Sequence, residues 1–168
     1  MPSHLQQLRD ELSSVLAEEH QVDLVRAPEG KWNSVQILEH LFLTYKNTNF
    51  GLTKCLEKGA PLATAPTFKH RVAKMLVVNV GYMPKGREAP KRAIPQGLPE
   101  GEVRSGLLAE IENMELGFAD CERRFGVGTR IMDHPFLGPL TASEWRKFHL
   151  VHGRHHARQI RERLNRSL

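Results

Sequence analysis

Five of the nine histidines in this 168-residue chain fall in one run, HPFLGPLTASEWRKFHLVHGRHHARQI, from His134 to Ile160. Imidazole titrates nearest neutrality of all side chains and, when neutral, is a ready ligand for divalent ions. Thr141 followed three residues later by Glu144 forms a capping box, which predicts a helix beginning at about Ala142. On that helix His152 and His156 are four residues apart, one turn above the other on one face. Two helical histidines hold a single metal ion at this spacing, although such a pair taken alone is more often solvated or hydrogen-bonded. Here the pair shares its stripe with Trp145, Phe148, His149 and Ile160, whereas Arg154, Arg158 and Arg161 fall mostly on the other side. The two imidazoles are therefore predicted to look inward, where each needs a partner and a metal would supply one. That site wants a third ligand.

The elements that must position it read as helices separated by Gly/Pro-rich breaks. Ser3 can cap a first helix running to about Glu19, with Leu5, Leu8, Leu12, Val15 and Leu16 as its apolar stripe. A second begins at Asn33 or Ser34, continues through Val35, Leu38, Leu41, Phe42, Tyr45, Leu52 and Leu56, and stops at Gly59 and Pro61. His40 lies near its start, predicted to face the interior. A lone inward histidine is usually a satisfied core residue, and here it is also the candidate for the missing ligand. Phe68 to Val80 reads as a short third helix, although its β-branched run leaves a strand open. Tyr82 to Glu100 carries four prolines and the cations Lys85, Arg87, Lys91 and Arg92, which predicts a long basic loop able to reach over a site. Leu107, Ile111, Met114, Phe118, Cys121 and Phe125 recur at steps of four and three, the cleanest amphipathic pattern in the chain, ended by Gly126. No stretch reads convincingly as a strand. The expectation is an all-α fold: an up-and-down four-helix bundle with an additional short helix and a long Pro/Gly-rich basic loop, residues 1–168 making one domain.

Composition narrows the setting. Cys55 and Cys121 are far apart on helical stretches and read as small core hydrophobes, so a reducing, cytoplasmic compartment is expected. No run approaches the roughly 18 apolar residues of a membrane span, and the N-terminus lacks the apolar core of a signal peptide, so no membrane is expected as a partner. The formal net charge of +5 is modest and spread out. A nucleic-acid partner would require Lys85 to Arg92 and the arginines of the last helix to form one basic face, and no interleaved aromatics support it.

WNSVQILEHL near the start, with HPFLGPLTASEW and HLVHGRHHARQI much later, resembles the DinB/YfiT-like superfamily of four-helix-bundle metalloproteins. The closest resemblance is to an uncharacterised branch carrying a His-Pro-Phe-x-Gly-x-Leu-Thr segment before the last helix. The specific content is the WxxxQxxEH-like stretch and HxxHHxxQ. The resemblance implies one metal ligand from the second helix and two, four apart, from the last: His40, His152 and His156, the trio that spacing also suggests. It leaves His155 out of the ligand set and allows Gln159, about one turn beyond His156, to orient a ring or a bound water. His149 lies two turns from His156, too far to join the same ion, and is expected to line the pocket. Asp133 and His134, on the loop entering the last helix, could overlook the site. No general base is evident, since Glu39 is turned about 100° away from His40.

Three neutral imidazoles leave a coordination position open, the arrangement of a catalytic rather than a closed structural site. The resemblance implies a divalent ion, zinc or nickel, activating water or a low-molecular-weight thiol cosubstrate against a small electrophilic substrate, as a thiol S-transferase or a hydrolase. The other reading is a non-catalytic metal-binding protein, stress-related or acting through another protein. A homodimer is compatible with either, because exposed helix faces of such bundles often pair.

Overall fold

The computed structural model describes residues 2–19, 27–83 and 88–165. The chain is mostly helical, with α1 (His4–Glu19), α2 (Ser34–Lys58), α3 (Phe68–Lys74), α4 (Glu100–Phe125) and α5 (Ala142–Asn165). The four long helices share one core, α1 packing chiefly on α5 and α2 chiefly on α4. Leu8, Leu12, Leu38, Tyr45, Leu107, Phe118 and Ile160 are fully buried within it. Both cysteines are buried and unbridged, Cys55 Sγ donating to the Ile131 carbonyl at 3.3 Å. Among the described residues no helix is long and apolar enough to cross a membrane.

The helix ends follow their local chemistry. Ser3 Oγ accepts from the Gln6 N–H at 3.0 Å at the start of α1. For α2 the cap is Asn33, whose side chain accepts from the Gln36 N–H at 2.8 Å while the Gln36 side chain accepts from the Asn33 N–H at 3.0 Å. Gly59 closes α2 with φ 69°, a left-handed conformation that few other residues adopt. Thr141 and Glu144 make the expected capping box on α5. The stretch predicted as a third helix is α-helical over Phe68–Lys74 and then widens into a π-helical turn over Met75–Asn79.

The all-α expectation needs one correction. Arg130–His134 (β1) and Gly138–Thr141 (β2) form an antiparallel hairpin, His134 facing Gly138 across the ladder, with an irregularity between Arg130 and Met132. Asp133 and His134 thus stand on a strand rather than a loop. Strands of five and four residues are too short to show an alternating pattern. The turn is also written in side-chain chemistry: His134 Nδ1 accepts from the backbone N–H groups of Phe136 and Leu137 at 3.1 and 3.2 Å. Gly138 takes φ 68°, and a Cβ there would collide with the His70 ring of α3 at 2.2 Å. The His-Pro-Phe-x-Gly-x-Leu-Thr segment is therefore a hairpin that seats α3, buries Leu140 and runs directly into the Thr141 cap.

The long basic loop is also more ordered than its prolines suggest. It includes a 3-10 turn over Lys91–Ala93, and residues 92–98 lie along α2. Asn47 donates to the Arg92 carbonyl at 3.0 Å, and the Glu39 carboxylate accepts from the N–H groups of Gln96, Gly97 and Leu98 at 2.6 to 3.2 Å. Lys85 and Arg87, two of the cations expected to reach over a site, lie outside the described residues. Two of the three arginines on the outer side of α5 are also engaged: Arg161 pairs with Glu11 and Glu18, and Arg154 donates to Gln7, all on α1.

Candidate metal centre

His40 from α2 and His152 and His156 from α5 meet in the interior, and their three ligand atoms all lie within 4.8 Å of one another. His152 Nε2 is 3.3 Å from His40 Nε2 and 3.1 Å from His156 Nε2. A tetrahedral ion with bonds of about 2.0–2.1 Å to nitrogen holds neighbouring ligand atoms about 3.3–3.4 Å apart. The two observed spacings lie close to such an edge, and the third pair of ligand atoms is bounded by the 4.8 Å separation.

Each flanking ring is held by its second nitrogen. His40 Nδ1 is 2.7 Å from the Ala93 carbonyl, which can only accept, so the ring's proton resides on Nδ1 and the Nε2 lone pair faces the cluster. His156 Nδ1 donates to Gln159 Oε1 at 2.8 Å, and Gln159 Nε2 in turn donates to His155 Nε2 at 3.1 Å. His152 Nδ1 is buried without a hydrogen-bond partner among the described residues, its ring stacked on Phe148 with centroids 5.4 Å apart. Two lone pairs therefore converge whichever tautomer His152 adopts, and that concentration of negative potential fits a cation. Orientation of ligand imidazoles through the opposite nitrogen is the usual support of a metal site.

The electrostatics agree. Burial lowers the pKa of His40, opposed in part by the Ala93 hydrogen bond. His152 is pushed well below the ordinary histidine value, first by burial and then by the fields of His156 and His40. Burial, followed by His40, lowers His156 to about 3. All three rings are thus neutral near pH 7, the protonation state a metal requires.

The remaining expected residues take other positions. Gln159 reaches His156, as the resemblance allowed. His149 is fully buried one turn before His152, but its Nε2 meets Thr48 Oγ1 at 3.2 Å and its ring stacks on Trp145, outside the cluster. His134 serves the hairpin turn and packs edge-on against Phe148, centroids 4.3 Å apart. Asp133 accepts from the Thr64 N–H at 3.0 Å and belongs to the strand's outer edge rather than to the cluster. Glu39 is buried but fully engaged with the loop.

Two residues of the quoted motif have positioning roles that the sequence did not reveal. Trp32 packs on His40 with centroids 5.1 Å apart, and Glu39 anchors the loop whose Ala93 carbonyl orients that same ring. The WxxxQxxEH stretch thus contains a ring cover, a helix cap, a loop anchor and a cluster histidine in nine residues. The motif was the signal; only the loop's path gives Glu39 its task.

Neither a curated protein nor a solved structure matches the chain. One family model does, over residues 4–163, which takes in all three histidines and runs from the first helix into the last. The chain belongs to that family, described as protein of unknown function (DUF1569).

Proposed function

We propose that the protein is a divalent-metal-dependent enzyme of the DinB/YfiT-like type, an up-and-down four-helix bundle whose ligands are His40, His152 and His156. The observation that carries the reading is the convergence of three neutral imidazoles, two of them with the opposite ring nitrogen held by a fixed acceptor. Zinc or nickel bound there, with a position left open, would supply Lewis-acid activation of water or of a low-molecular-weight thiol for attack on a small electrophile.

The chain's own residues prepare that position. Ala93 and Gln159 fix the tautomers of His40 and His156, so no proton has to move before a ligand binds. Trp32 and Phe148 flank the rings with apolar surface, which lowers the local dielectric and strengthens every charge interaction within. The open position of a three-histidine set favours S-transfer or hydrolysis over a structural role.

A second reading, a metal-holding protein that acts through a protein partner, draws support from the carboxylates: Glu39 and Asp133 are both committed to backbone N–H groups, which leaves neither as a general base. A nucleic-acid role draws less, because Arg154 and Arg161 are engaged with α1.

Cobalt-loaded protein titrated with a small thiol separates these readings. A new near-ultraviolet thiolate-to-cobalt band, together with turnover of thiol and electrophile by the zinc or nickel form, supports the S-transferase. Ester turnover without the band supports the hydrolase. Metal uptake with neither activity would return the site to the non-catalytic reading.

A further inference from the structure

A cleft of about 410 Å³ lies between α3 with its π-helical turn, the hairpin and α5, within the size range of small-molecule sites. Its walls are apolar, formed by Phe68, Val72, Leu76, Val77, Phe136 and Phe148. Phe68, Val72, Leu76 and Phe136 are 79%, 40%, 41% and 42% exposed, a concentration of open apolar surface that a folded chain rarely leaves without purpose. The residues at 68, 72 and 76 recur every four, so one face of this element is turned to the cleft.

Two polar groups break the apolar lining. Lys69 is the one charged residue on it and has no carboxylate partner among the described residues, whereas Lys74, a little further along, is paired with Glu144. His134 also lines the cleft. Its Nδ1 accepts two backbone N–H groups, so the neutral ring carries its proton on Nε2, a donor with no acceptor among the described residues. An apolar chamber with a cation and an N–H donor matches a ligand with an apolar body and a single acidic group.

We propose that this cleft binds a small amphiphilic anion, an aryl or medium-chain aliphatic carboxylate or sulfonate, with its body against Val72, Leu76 and Phe148 and its acid group at Lys69. Phe148 is the wall shared with the metal centre, since the same ring stacks on His152. The cleft is nevertheless a binding site in its own right and does not require the metal.

The test is fluorescence titration of the purified protein with anilinonaphthalene sulfonate, followed by displacement with decanoate or decanol. Saturable one-site binding is expected, with decanoate the better competitor. Val72→Trp, which fills the chamber from an exposed position, should weaken dye binding about tenfold or more. Lys69→Gln should weaken decanoate about threefold and leave decanol unchanged. Leu76→Glu, which puts a like charge at the mouth, provides a second blocking variant should Val72→Trp fold poorly. Unchanged dye binding in the folded blocking variants, or equal displacement by acid and alcohol in both backgrounds, would overturn the assignment. So would the absence of binding in a wild-type dimer that Leu76→Glu converts to monomers, because the cleft would then be an interface between copies.

Discussion

At the scale of single residues, each flanking imidazole uses one nitrogen for orientation and points the other at the cluster. Gln159 is the clearest test, because its side chain bonds His156 Nδ1 and His155 Nε2 and, among the described residues, none of the Nε2 atoms that face the cluster. Gln159→Leu should lower metal affinity about 10- to 100-fold, read by competition with a chromophoric chelator, while leaving the far-ultraviolet spectrum unchanged. An unaltered affinity would mean that the side chain has no orienting role. The three cluster histidines were legible in the sequence because i, i+4 spacing on a helix fixes a face. His149 shared that face, yet its nitrogen is taken by Thr48 across the interface with α2, a contact that spacing along one helix does not encode. Asp133 and His134 were near the site in sequence, but hairpin geometry gives their polar atoms to Thr64 and to the turn.

Among the elements, the loop after the π-helical turn and the close approach of α1 to α5 matter most. The Glu39 carboxylate gathers three N–H groups of residues 96–98 and so holds Ala93 against His40. Glu39→Ala should reduce metal affinity and lower the melting temperature together, since it leaves three donors without their acceptor, at about 1–3 kcal/mol for each group that stays buried. Thermal melts and chelator competition on the same sample check it; a loss of stability with full affinity would separate the loop from the site. Gly153 lets Leu8 of α1 approach α5, and a Cβ there would sit 2.1 Å from Leu8 Cδ1. Gly153→Ala is expected to destabilise the fold by about 1–3 kcal/mol through overpacking, measured by urea unfolding. The long amphipathic helices were readable because their apolar residues repeat over many turns. The hairpin was not, because two short strands and a side-chain-closed turn carry no period, and the loop's order comes from a carboxylate more than fifty residues away.

For the whole molecule, burial of neutral histidines makes stability depend on pH. Burial lowers His134 to about 3, and burial together with His134 lowers His149 to about 3. In the unfolded chain both titrate near the ordinary value of about 6.5, so between these limits the unfolded state binds more protons than the folded state. Their contribution is therefore complete above about pH 6.5 and is lost progressively as the pH falls toward 3. Urea midpoints of metal-free protein should be flat from pH 8 to about 6.5 and decline below it, and His149→Gln should make the decline shallower. A midpoint that rose on acidification would contradict the burial of these rings as neutral groups.

The central claim is that His40, His152 and His156 hold one divalent ion together. Elemental analysis after equilibrium dialysis against zinc or nickel, on protein prepared without a metal-affinity tag, tests it most directly when wild type is compared with His40→Ala and His156→Ala. The account predicts about one equivalent in the wild type and loss of tight binding in both variants, with helical content retained. No uptake by the wild type, or a full equivalent retained in either variant, would contradict it.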